Sequence, residues 1–329
     1  MRIAVLGAGA WGTALAGAVA ARHDTVLWAR STQQAQDIAG LRSNARYLPG
    51  YRLPESLAVV SSLPQALQHA AGGLLLLAVP VASLRPLLGE IRNGAFRGTC
   101  GWLCKGLERE TGLLAHQVAA AALPGVCCGV LSGPSFAQEV AQGLPTALVA
   151  AGSDEFCRTV TAAVHGNFLR VYTSDDLIGV EVGGAVKNVL AIGAGVADAL
   201  HLGMNARAAL ITRGLRETRR FGEALGAHGE TFTGLTGLGD LILTCTGDLS
   251  RNRRIGLALG HGVPLEQALQ QIGHVAEGVW SAPAIVARAR ELGVEMPICE
   301  TVCDLLAGRV DARGVVERLL ARDPRAERN

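Results

Sequence analysis

The sequence predicts an α/β protein in which a parallel sheet wound with helices is followed by an all-helical domain. Through the first half, short apolar runs alternate with helical stretches, the usual pattern of a parallel sheet. From residue 175 onward, long helical stretches dominate and strand signals almost disappear. We therefore expect a boundary between residues 175 and 185, dividing the chain into domains of residues 1–178 and 179–329.

The expected strands are short, apolar runs bounded by turn residues. The run at residues 74–79 is uninterrupted Leu, Ala and Val, as in a strand covered by helices on both faces. Strands are predicted at Arg2–Leu6 and at residues 25–28, 58–60, 73–78, 98–104, 125–131, 146–150 and 168–172. Helices are predicted at residues 11–21 and 179–200, and the polar tail from Arg322 is expected to fray.

Composition excludes several classes of function. The net charge of +2 on 329 residues lacks the basic excess of a nucleic-acid-binding protein. The eight cysteines lack the spacing of zinc ligands, so we expect neither a metal nor a disulfide. Glycine breaks the first apolar run after Leu6. We therefore expect no signal peptide, no stable membrane insertion and a cytoplasmic location.

A glycine-rich segment follows the first predicted strand. Residues 7–12 read GAGAWG, which matches G-x-G-x-x-G between a strand and a helix. Gly7 would form the tight turn, Gly9 would admit a pyrophosphate, and Gly12 would allow close helix packing. A glycine-rich turn with no ligand is the alternative, but the strand–turn–helix context favours a Rossmann-like dinucleotide-binding domain.

The end of the second predicted strand bears on the choice of cofactor. NAD-specific domains usually carry Asp or Glu there to hold the ribose hydroxyls, whereas this chain has Ala29, Arg30 and Ser31. A cation and a hydroxyl suit the 2′-phosphate of NADP. Alternatively, Arg30 is a solvated surface residue or stacks on the adenine. We expect NADP or NAD as cofactor, with NADPH used at least as well as NADH.

Lysine is almost absent from the chain. Of the 30 basic residues, 28 are Arg and two are Lys, namely Lys105 and Lys187. Arginine stays charged, whereas a lysine can lose its proton where its surroundings lower its pKa. Donating a proton to a carbonyl that becomes an alkoxide requires such a group. Chance retention of two lysines in an arginine-biased sequence is the alternative.

The positions of both lysines favour function. Lys187 lies in the apolar helix predicted at residues 179–200, where an unpaired charge is costly and needs a carboxylate or a bound anion. Lys105 follows the strand predicted at residues 98–104, and open α/β sheets bind ligands at the carboxyl ends of their strands.

Seven segments, in order along the chain, resemble the bacterial glycerol-3-phosphate dehydrogenase family. They are residues 7–14 (GAGAWGTA), 105–108 (KGLE), 132–146 (SGPSFAQEVAQGLPT), 179–192 (GVEVGGAVKNVLAI), 208–215 (AALITRGL), 234–246 (GLTGLGDLILTCT) and 250–254 (SRNRR). The resemblance implies NAD(P)H-dependent reduction of dihydroxyacetone phosphate to glycerol 3-phosphate for phospholipid biosynthesis. A homodimer is compatible with the apolar helical half.

The resemblance also implies roles for individual residues. Lys187 matches the general acid/base, while Lys105 and Asp240 match groups that line the reaction centre. The implied substrate contacts are Lys105, Gly133, Ser135, Lys187, Asn188, Asp240, Ser250, Arg251 and Asn252. The implied cofactor contacts are Gly7, Gly9, Ala10, Trp11, Gly12, Arg30, Lys105, Ala137, Arg251, Val275 and Glu277.

Local patterns around these residues leave some choices open. Residues 237–240 (GLGD) predict a tight turn with Asp240 at a helix start, where it could also serve as an N-cap. The cluster at residues 250–254 suits a phosphate dianion, although charge clusters more often lie on solvated surfaces. Cys104, Thr236 and Met204 depart from the family pattern without replacing a proposed reacting group.

Two other classes of protein share some of these sequence features. The 3-hydroxyacid dehydrogenases also combine a nucleotide domain, a helical domain and a catalytic lysine. Their asparagine follows that lysine by four residues, whereas this chain has Asn188 beside Lys187 and Ala191 at the later position. A nucleotide-sensing regulator would not need Lys187, Asp240 and Arg251 together.

Overall fold

A computed structural model describes residues 1–166, 168–273 and 275–320. Its strands are β1 (Arg2–Leu6), β2 (Asp24–Trp28), β3 (Leu57–Val60), β4 (Leu74–Leu77), β5 (Thr99–Trp102), β6 (Cys127–Ser132), β7 (Thr146–Gly152) and β8 (Leu169–Ser174). All eight predicted strands are present, with ends that differ by up to two residues. The predicted tail from Arg322 lies outside the described residues.

Helices follow most of the strands and make up nearly all of the second half. Those of the first half are α1 (Ala10–Ala20), α2 (Thr32–Leu41), α3 (Leu63–His69), α4 (Leu84–Asn93), α5 (Ala115–Ala122), α6 (Ala137–Ala141) and α7 (Asp154–Val164). The remaining helices are α8 (Leu177–Ala199), α9 (Gly203–Ala224), α10 (Asp240–Thr246), α11 (Arg251–Gly260), α12 (Leu265–Ile272), α13 (Glu277–Glu291), α14 (Pro297–Leu306) and α15 (Ala312–Leu320).

The first six strands of the sheet all run in the same direction. The strand order is β3-β2-β1-β4-β5-β6-β7-β8, so the first six strands have the doubly wound dinucleotide-binding order. β7 runs antiparallel to β6 and β8 runs parallel to β7, so the expected parallel direction was wrong for the last two strands. An apolar run predicts a buried strand without specifying its direction, which the chain connection sets.

Helix α8 forms the centre of the second half. Nearly all of its residues are buried, and their packing partners include helices α9, α10, α11 and α13. The helix is long and apolar enough to cross a membrane, but 89% of its most apolar window is buried inside the protein. An apolar helix enclosed in this way is a core helix.

Two glycines allow α8 and α11 to cross in close contact. A Cβ atom on Gly195 would overlap the carbonyl oxygen of Arg253, and one on Gly256 would overlap that of Ile192. The backbones therefore touch where side chains would normally separate them. This close crossing brings the start of α11 next to the middle of α8, where Lys187 lies.

Glu217, a buried residue of α9, caps the helix α14. Its carboxylate accepts hydrogen bonds from the backbone N–H groups of Ile298 at 2.8 Å and Cys299 at 3.2 Å. Burial raises the pKa of Glu217 to about 7, although these two bonds act to lower it. The carboxylate thus satisfies two donors in the first turn of α14, which have no partners within the helix.

Replacing this cap should destabilise the protein. Glu217→Leu leaves two buried N–H groups unpaired, so we expect the free energy of unfolding to fall by about 2–4 kcal/mol. Glu217→Gln should remove one pH-dependent contribution. Because the folded-state pKa lies above the usual value of 4.5, Glu217 contributes most below that value and loses this contribution as the pH rises through 7.

Urea unfolding of wild type and both variants at about pH 5 and pH 7.5 measures these effects. The stability difference between wild type and Glu217→Gln should shrink at the higher pH. An unfolding free energy of Glu217→Leu equal to that of wild type would show that the cap does not stabilise α14.

Candidate active site

The glycine-rich loop has the geometry that a dinucleotide requires. Gly7 has a φ of +121°, and a Cβ atom on it would overlap the carbonyl oxygen of Ala78. A Cβ atom on Gly12 would overlap the carbonyl oxygen of Gly7. By contrast, a Cβ atom on Gly9 would meet nothing within 4 Å. Gly7 and Gly12 therefore close the turn onto the sheet, while Gly9 borders open space.

The start of α1 remains accessible to an anion. Gly9 is its N-cap, and within the described ranges no side chain caps this helix. Behind the loop, the carbonyl oxygen of Ala8 accepts hydrogen bonds from Gln34 Nε2 at 2.8 Å and Asn44 Nδ2 at 3.0 Å. Asn44 also donates to Thr13 Oγ1 at 2.7 Å. The loop is thus held with its helix N-terminus facing outward, which fits a pyrophosphate.

A single carboxylate joins the two lysines. Lys187 Nζ lies 2.5 Å from Asp240 Oδ1, and Lys105 Nζ lies 2.7 Å from Asp240 Oδ2. Lys187 Nζ also donates to Thr244 Oγ1 at 2.9 Å. The structure thus brings together residues that are 135 positions apart in the chain, from the segment after β5, from α8 and from α10.

The electrostatics of this cluster make Lys187 a titratable donor near neutral pH. Burial lowers the pKa of Lys187 to about 8; the charge of Asp240 acts to raise it and that of Lys105 to lower it further. Burial acts to raise the pKa of Asp240, but the charges of Lys105 and Lys187 outweigh burial and hold that pKa below its usual value. Asp240 therefore stays ionised while Lys187 can give up a proton.

The segment before Asp240 corrects one prediction. A single π-helical turn, Leu235–Gly239, leads directly into α10, where the sequence predicted a tight turn. Asp240 does begin the helix as expected, but Gly239 occupies the N-cap position. The carboxylate of Asp240 bonds the lysines, so the N-cap alternative was wrong. Single π-turns are frequent at functional sites.

Thr244 is a member of the site that the sequence reasoning missed. It lies one turn after Asp240 on α10, donates to the carbonyl oxygen of Asp240 at 2.6 Å and accepts from Lys187. Its hydroxyl therefore helps to fix the orientation of the Lys187 ammonium group. A threonine one helical turn after Asp240 was the only available signal, and it is a weak one.

The turn after β6 lies against Lys105. Gly133 has a φ of +130°, and its carbonyl oxygen accepts from Lys105 Nζ at 3.1 Å and from Ser135 Oγ at 3.1 Å. Three of the predicted substrate-binding residues thus meet at one carbonyl group, beside the carboxyl end of β5.

The start of α11 lies next to Lys187 through a pair of buried amides. Asn252 Nδ2 donates to Asn188 Oδ1 at 2.9 Å, and Asn252 Oδ1 accepts from the backbone N–H of Gly278 at 3.0 Å. Ser250 caps α11 by accepting from the backbone N–H of Arg253 at 3.2 Å. Arg251, the first residue of α11, is exposed.

The arginines at the start of α11 differ in their partners. Arg253 is committed to ion pairs with Asp198 at 2.8 Å and Asp248 at 2.9 Å. Burial raises the pKa of Glu277 to about 7, although a hydrogen bond with the backbone of Val81 and the charge of Arg251 both act to lower it. Glu277 therefore lies beside Val81, which follows β4, and close enough to Arg251 for their charges to interact.

The remaining predicted cofactor residues differ in their surroundings. Trp11 and Ala137 pack on one hydrophobic cluster. Ala10 is the first residue of α1. Arg30 and Val275 are exposed, and within the described segments no hydrogen bond or ion pair holds Arg30. Ser31 caps α2 by accepting from Gln34 N at 3.3 Å.

The three departures from the family pattern have different surroundings. Burial raises the pKa of the Cys104 thiol, and the charge of Glu277 adds to this effect. A Cβ atom on Gly183 would overlap the carbonyl oxygen of Thr236. Met204 is exposed at the start of α9. All eight cysteines are free, and no group of three His, Cys, Asp or Glu side chains suited to a metal occurs in the described ranges.

Comparison with known proteins identifies the family. The model of the NAD-dependent glycerol-3-phosphate dehydrogenase N-terminus matches residues 2–157, and that of the C-terminus matches residues 176–317. The chain belongs to the NAD-dependent glycerol-3-phosphate dehydrogenase family. It is an oxidoreductase that uses NAD or NADP, as predicted, which leaves no support for the hydroxyacid dehydrogenase and regulator alternatives.

Individual relatives span the whole chain. Glycerol-3-phosphate dehydrogenase, NAD(P)+, of Methylibium petroleiphilum is 56% identical over 99% of this chain and 98% of that protein. The protein of the same name from Acidovorax sp. (strain JS42) is 56% identical over 100% of both. A crystal structure of glycerol-3-phosphate dehydrogenase from Coxiella burnetii superposes with a TM-score of 0.92, at 42% identity, over 97% of this chain and 98% of that chain.

The open space at Gly9 predicts a selective loss of cofactor binding. Because Gly9 has an extended backbone that any residue adopts, Gly9→Val should leave the melting temperature almost unchanged. Its side chain would project into the space before α1, so we expect NADPH affinity to fall at least about 10-fold, the scale of one lost charge-assisted contact. Fluorescence titration with NADPH measures this.

Gly12→Ala is the matched control, since its Cβ atom overlaps backbone and should lower the melting temperature. Wild-type NADPH affinity in Gly9→Val would mean that the dinucleotide does not approach Gly9.

Proposed function

We propose that this protein catalyses the reversible NAD(P)H-dependent reduction of dihydroxyacetone phosphate to sn-glycerol 3-phosphate, with Lys187 as the proton donor. The arrangement of Lys187, Asp240 and Lys105 carries the proposal. It combines a titratable ammonium with the ionised carboxylate that holds it, and Lys105 follows β5 at the same carboxyl edge of the sheet from which the glycine-rich loop follows β1. Oxidation of NADPH on addition of dihydroxyacetone phosphate tests it directly.

Proton transfer is the task of Lys187. NADPH or NADH, when bound, would supply the hydride that reduces the ketone carbon. As the ketone oxygen gains negative charge, Lys187 Nζ donates a proton to it, and in the oxidation direction the free amine of Lys187 takes the proton back. Asp240 and Thr244 hold Nζ in position, and the charge of Lys105 stabilises the developing alkoxide.

The start of α11 would bind the substrate phosphate. Arg251 provides an exposed cation, Asn252 provides an amide beside Asn188, and the helix N-terminus adds partial positive charge. Ser250 contributes by capping this helix. Gly133, Ser135 and Lys105 would surround the other end of the substrate, next to the reacting carbonyl.

The residues around the sheet edge fit a dinucleotide. The loop from Gly7 to Gly12, including Ala10 and Trp11, would hold the pyrophosphate and Arg30 the adenosine ribose. Ala137, Val275, Glu277, Arg251 and Lys105 would complete the cofactor site.

The cellular role follows from the reaction. Glycerol 3-phosphate is the backbone of phospholipids, so we propose a role in phospholipid biosynthesis. The cytoplasm is the proposed location. We further propose domains of residues 1–178 and 179–329, with a boundary in the first turn of α8, shortly after the last strand ends at Ser174. We also propose that the protein forms a homodimer.

Removing the ammonium of Lys187 should abolish proton transfer. Lys187→Met and Lys187→Arg should each lower kcat at least about 100-fold, the scale of a lost general acid. KM for NADPH should remain near the wild-type value.

In wild type, kcat/KM for reduction should fall as the pH rises through about 8, where Lys187 loses its proton, and kcat/KM for oxidation should rise.

Steady-state kinetics on variants with wild-type circular dichroism measure both effects. A kcat near the wild-type value in Lys187→Met would rule out Lys187 as the acid.

Arg251 should act on the phosphate of the substrate. Arg251→Ala should lower kcat/KM for dihydroxyacetone phosphate roughly 10- to 100-fold, because one charge-assisted contact is lost. Unphosphorylated dihydroxyacetone should change little. Arg254→Ala, which removes the same charge from an exposed position three residues later, is the control. Equal losses with both substrates would contradict the role.

Arg30 should select the 2′-phosphate of the cofactor. Arg30→Ala should lower kcat/KM for NADPH by about 1–3 kcal/mol in transition-state stabilisation while NADH kinetics stay close to unchanged. Arg170→Ala, at an exposed position on β8, controls for net charge. Parallel losses with both cofactors would indicate stacking on the adenine instead.

A further inference from the structure

Glu181 is a buried carboxylate that links the sheet to the core helix. It lies on α8, and its Oε1 accepts hydrogen bonds from Trp102 Nε1 at 2.8 Å and from the backbone N–H of His116 at 3.0 Å. His116 Nδ1 lies 2.6 Å from Oε2. Trp102 ends β5 and His116 lies in the first turn of α5. One side chain of α8 thus holds two elements of the dinucleotide-binding domain.

The two lysines belong to the elements that Glu181 and Trp102 link, since Lys105 follows β5 and Lys187 lies on α8. Lys105 follows Trp102 by three residues, and Gly184 follows Glu181 by three residues. A Cβ atom on Gly184 would lie 3.3 Å from Lys105 Cγ and 3.5 Å from its Cδ. The end of β5 therefore runs alongside α8 with two contacts in matching register. Lys187 lies one helical turn beyond the second contact.

We propose that Glu181 is a positioning residue that fixes the separation of Lys105 and Lys187, so that the carboxylate of Asp240 reaches both. This inference rests on the proposed function, because it assigns the two lysines to the reaction. Glu181 itself touches neither lysine. It acts through the packing of β5 against α8.

A purely apolar contact would hold β5 and α8 together but would not fix their relative position as hydrogen bonds do. An ionisable carboxylate in the core is costly: burial raises the pKa of Glu181, and its bonds with His116 and Trp102 counteract that effect. Its three hydrogen bonds have narrow ranges of distance and angle, whereas apolar contacts tolerate sliding. A displacement of about 1 Å at a reacting group can cost as much as 100-fold in rate.

A positioning role changes the pH dependence of the reaction, which a loss of stability alone does not. Lys187 faces Asp240, Lys105, Thr244 and the buried thiol of Cys245. If β5 moves away from α8, water enters and Lys105 recedes, and both changes raise the pKa of Lys187. Burial is the largest cause of its lowering, so these changes outweigh a weaker contact with Asp240.

Three variants test the proposal by kcat, KM and the pH profile of reduction. Trp102→Phe removes one hydrogen bond but keeps an aromatic ring, and should lower kcat about 3- to 10-fold with unchanged KM for NADPH. Glu181→Leu should lower kcat about 10- to 100-fold. In both, the fall of kcat/KM with pH should move up by about half a pH unit or more. Glu181→Gln keeps the accepting oxygen, and should restore kcat to within about 3-fold of wild type.

Glu217→Leu is the matched control, since it removes a second buried glutamate that caps a helix away from the lysines. It should lower stability while kcat and the pH profile stay at wild-type values. If Glu181→Leu does not fold, Trp102→Phe decides. Wild-type kcat and pH profile in Trp102→Phe, or an equal shift in Glu217→Leu, would overturn the proposal. Failure of the wild-type enzyme to reduce dihydroxyacetone phosphate would instead overturn the proposed function.

Discussion

The carboxylate of Asp240, shared by two ammonium groups, is the interaction on which the rest of the site depends. One negative charge and two positive charges leave the buried cluster with a net positive charge. A buried positive charge is costly in the absence of an anion and stabilises one that forms next to it. A ketone oxygen that gains negative charge during reduction is such an anion. The cluster that is costly in the absence of an anion therefore stabilises the transition state of the reduction.

Several features of the fold serve to assemble this cluster. Lys187 comes from a core helix, Lys105 from the carboxyl end of β5 and Asp240 from the turn that begins α10. Gly184 allows the stem of Lys105 to lie against α8. The crossing at Gly195 and Gly256 brings the start of α11 to the same region. Small residues on α8 thus allow neighbouring segments to approach its backbone closely, which explains why this enclosed helix is so rich in glycine.

Much of this arrangement was predictable from the sequence because it depends on local pattern. The spacing of Gly7, Gly9 and Gly12 between a strand and a helix predicted the cofactor loop. The scarcity of lysine in an arginine-rich chain pointed to Lys105 and Lys187 as candidates for proton transfer. Their common partner, Asp240, came from the family resemblance, since no local pattern relates residues 135 positions apart.

Other features depend on tertiary contacts and left no readable pattern. The reversed direction of β7 follows from its connection to β6, whereas its apolar residues suit either direction. The π-turn before Asp240 is set by packing against α8. Asn44 and Glu181 act through single side chains that reach distant backbone or aromatic groups, and such contacts have no sequence period.

The central claim, that burial beside a shared carboxylate makes Lys187 a proton donor near neutral pH, is open to direct measurement. Because the chain has only two lysines, protein labelled with ¹³C at the lysine ε-carbon gives two lysine NMR signals, which Lys187→Met assigns. Titration should show the Lys187 signal changing with a pKa of about 8. In Asp240→Asn that pKa should fall further, since the carboxylate acts to raise it. A Lys187 signal that titrates at the ordinary value of 10.5 or above would contradict the account.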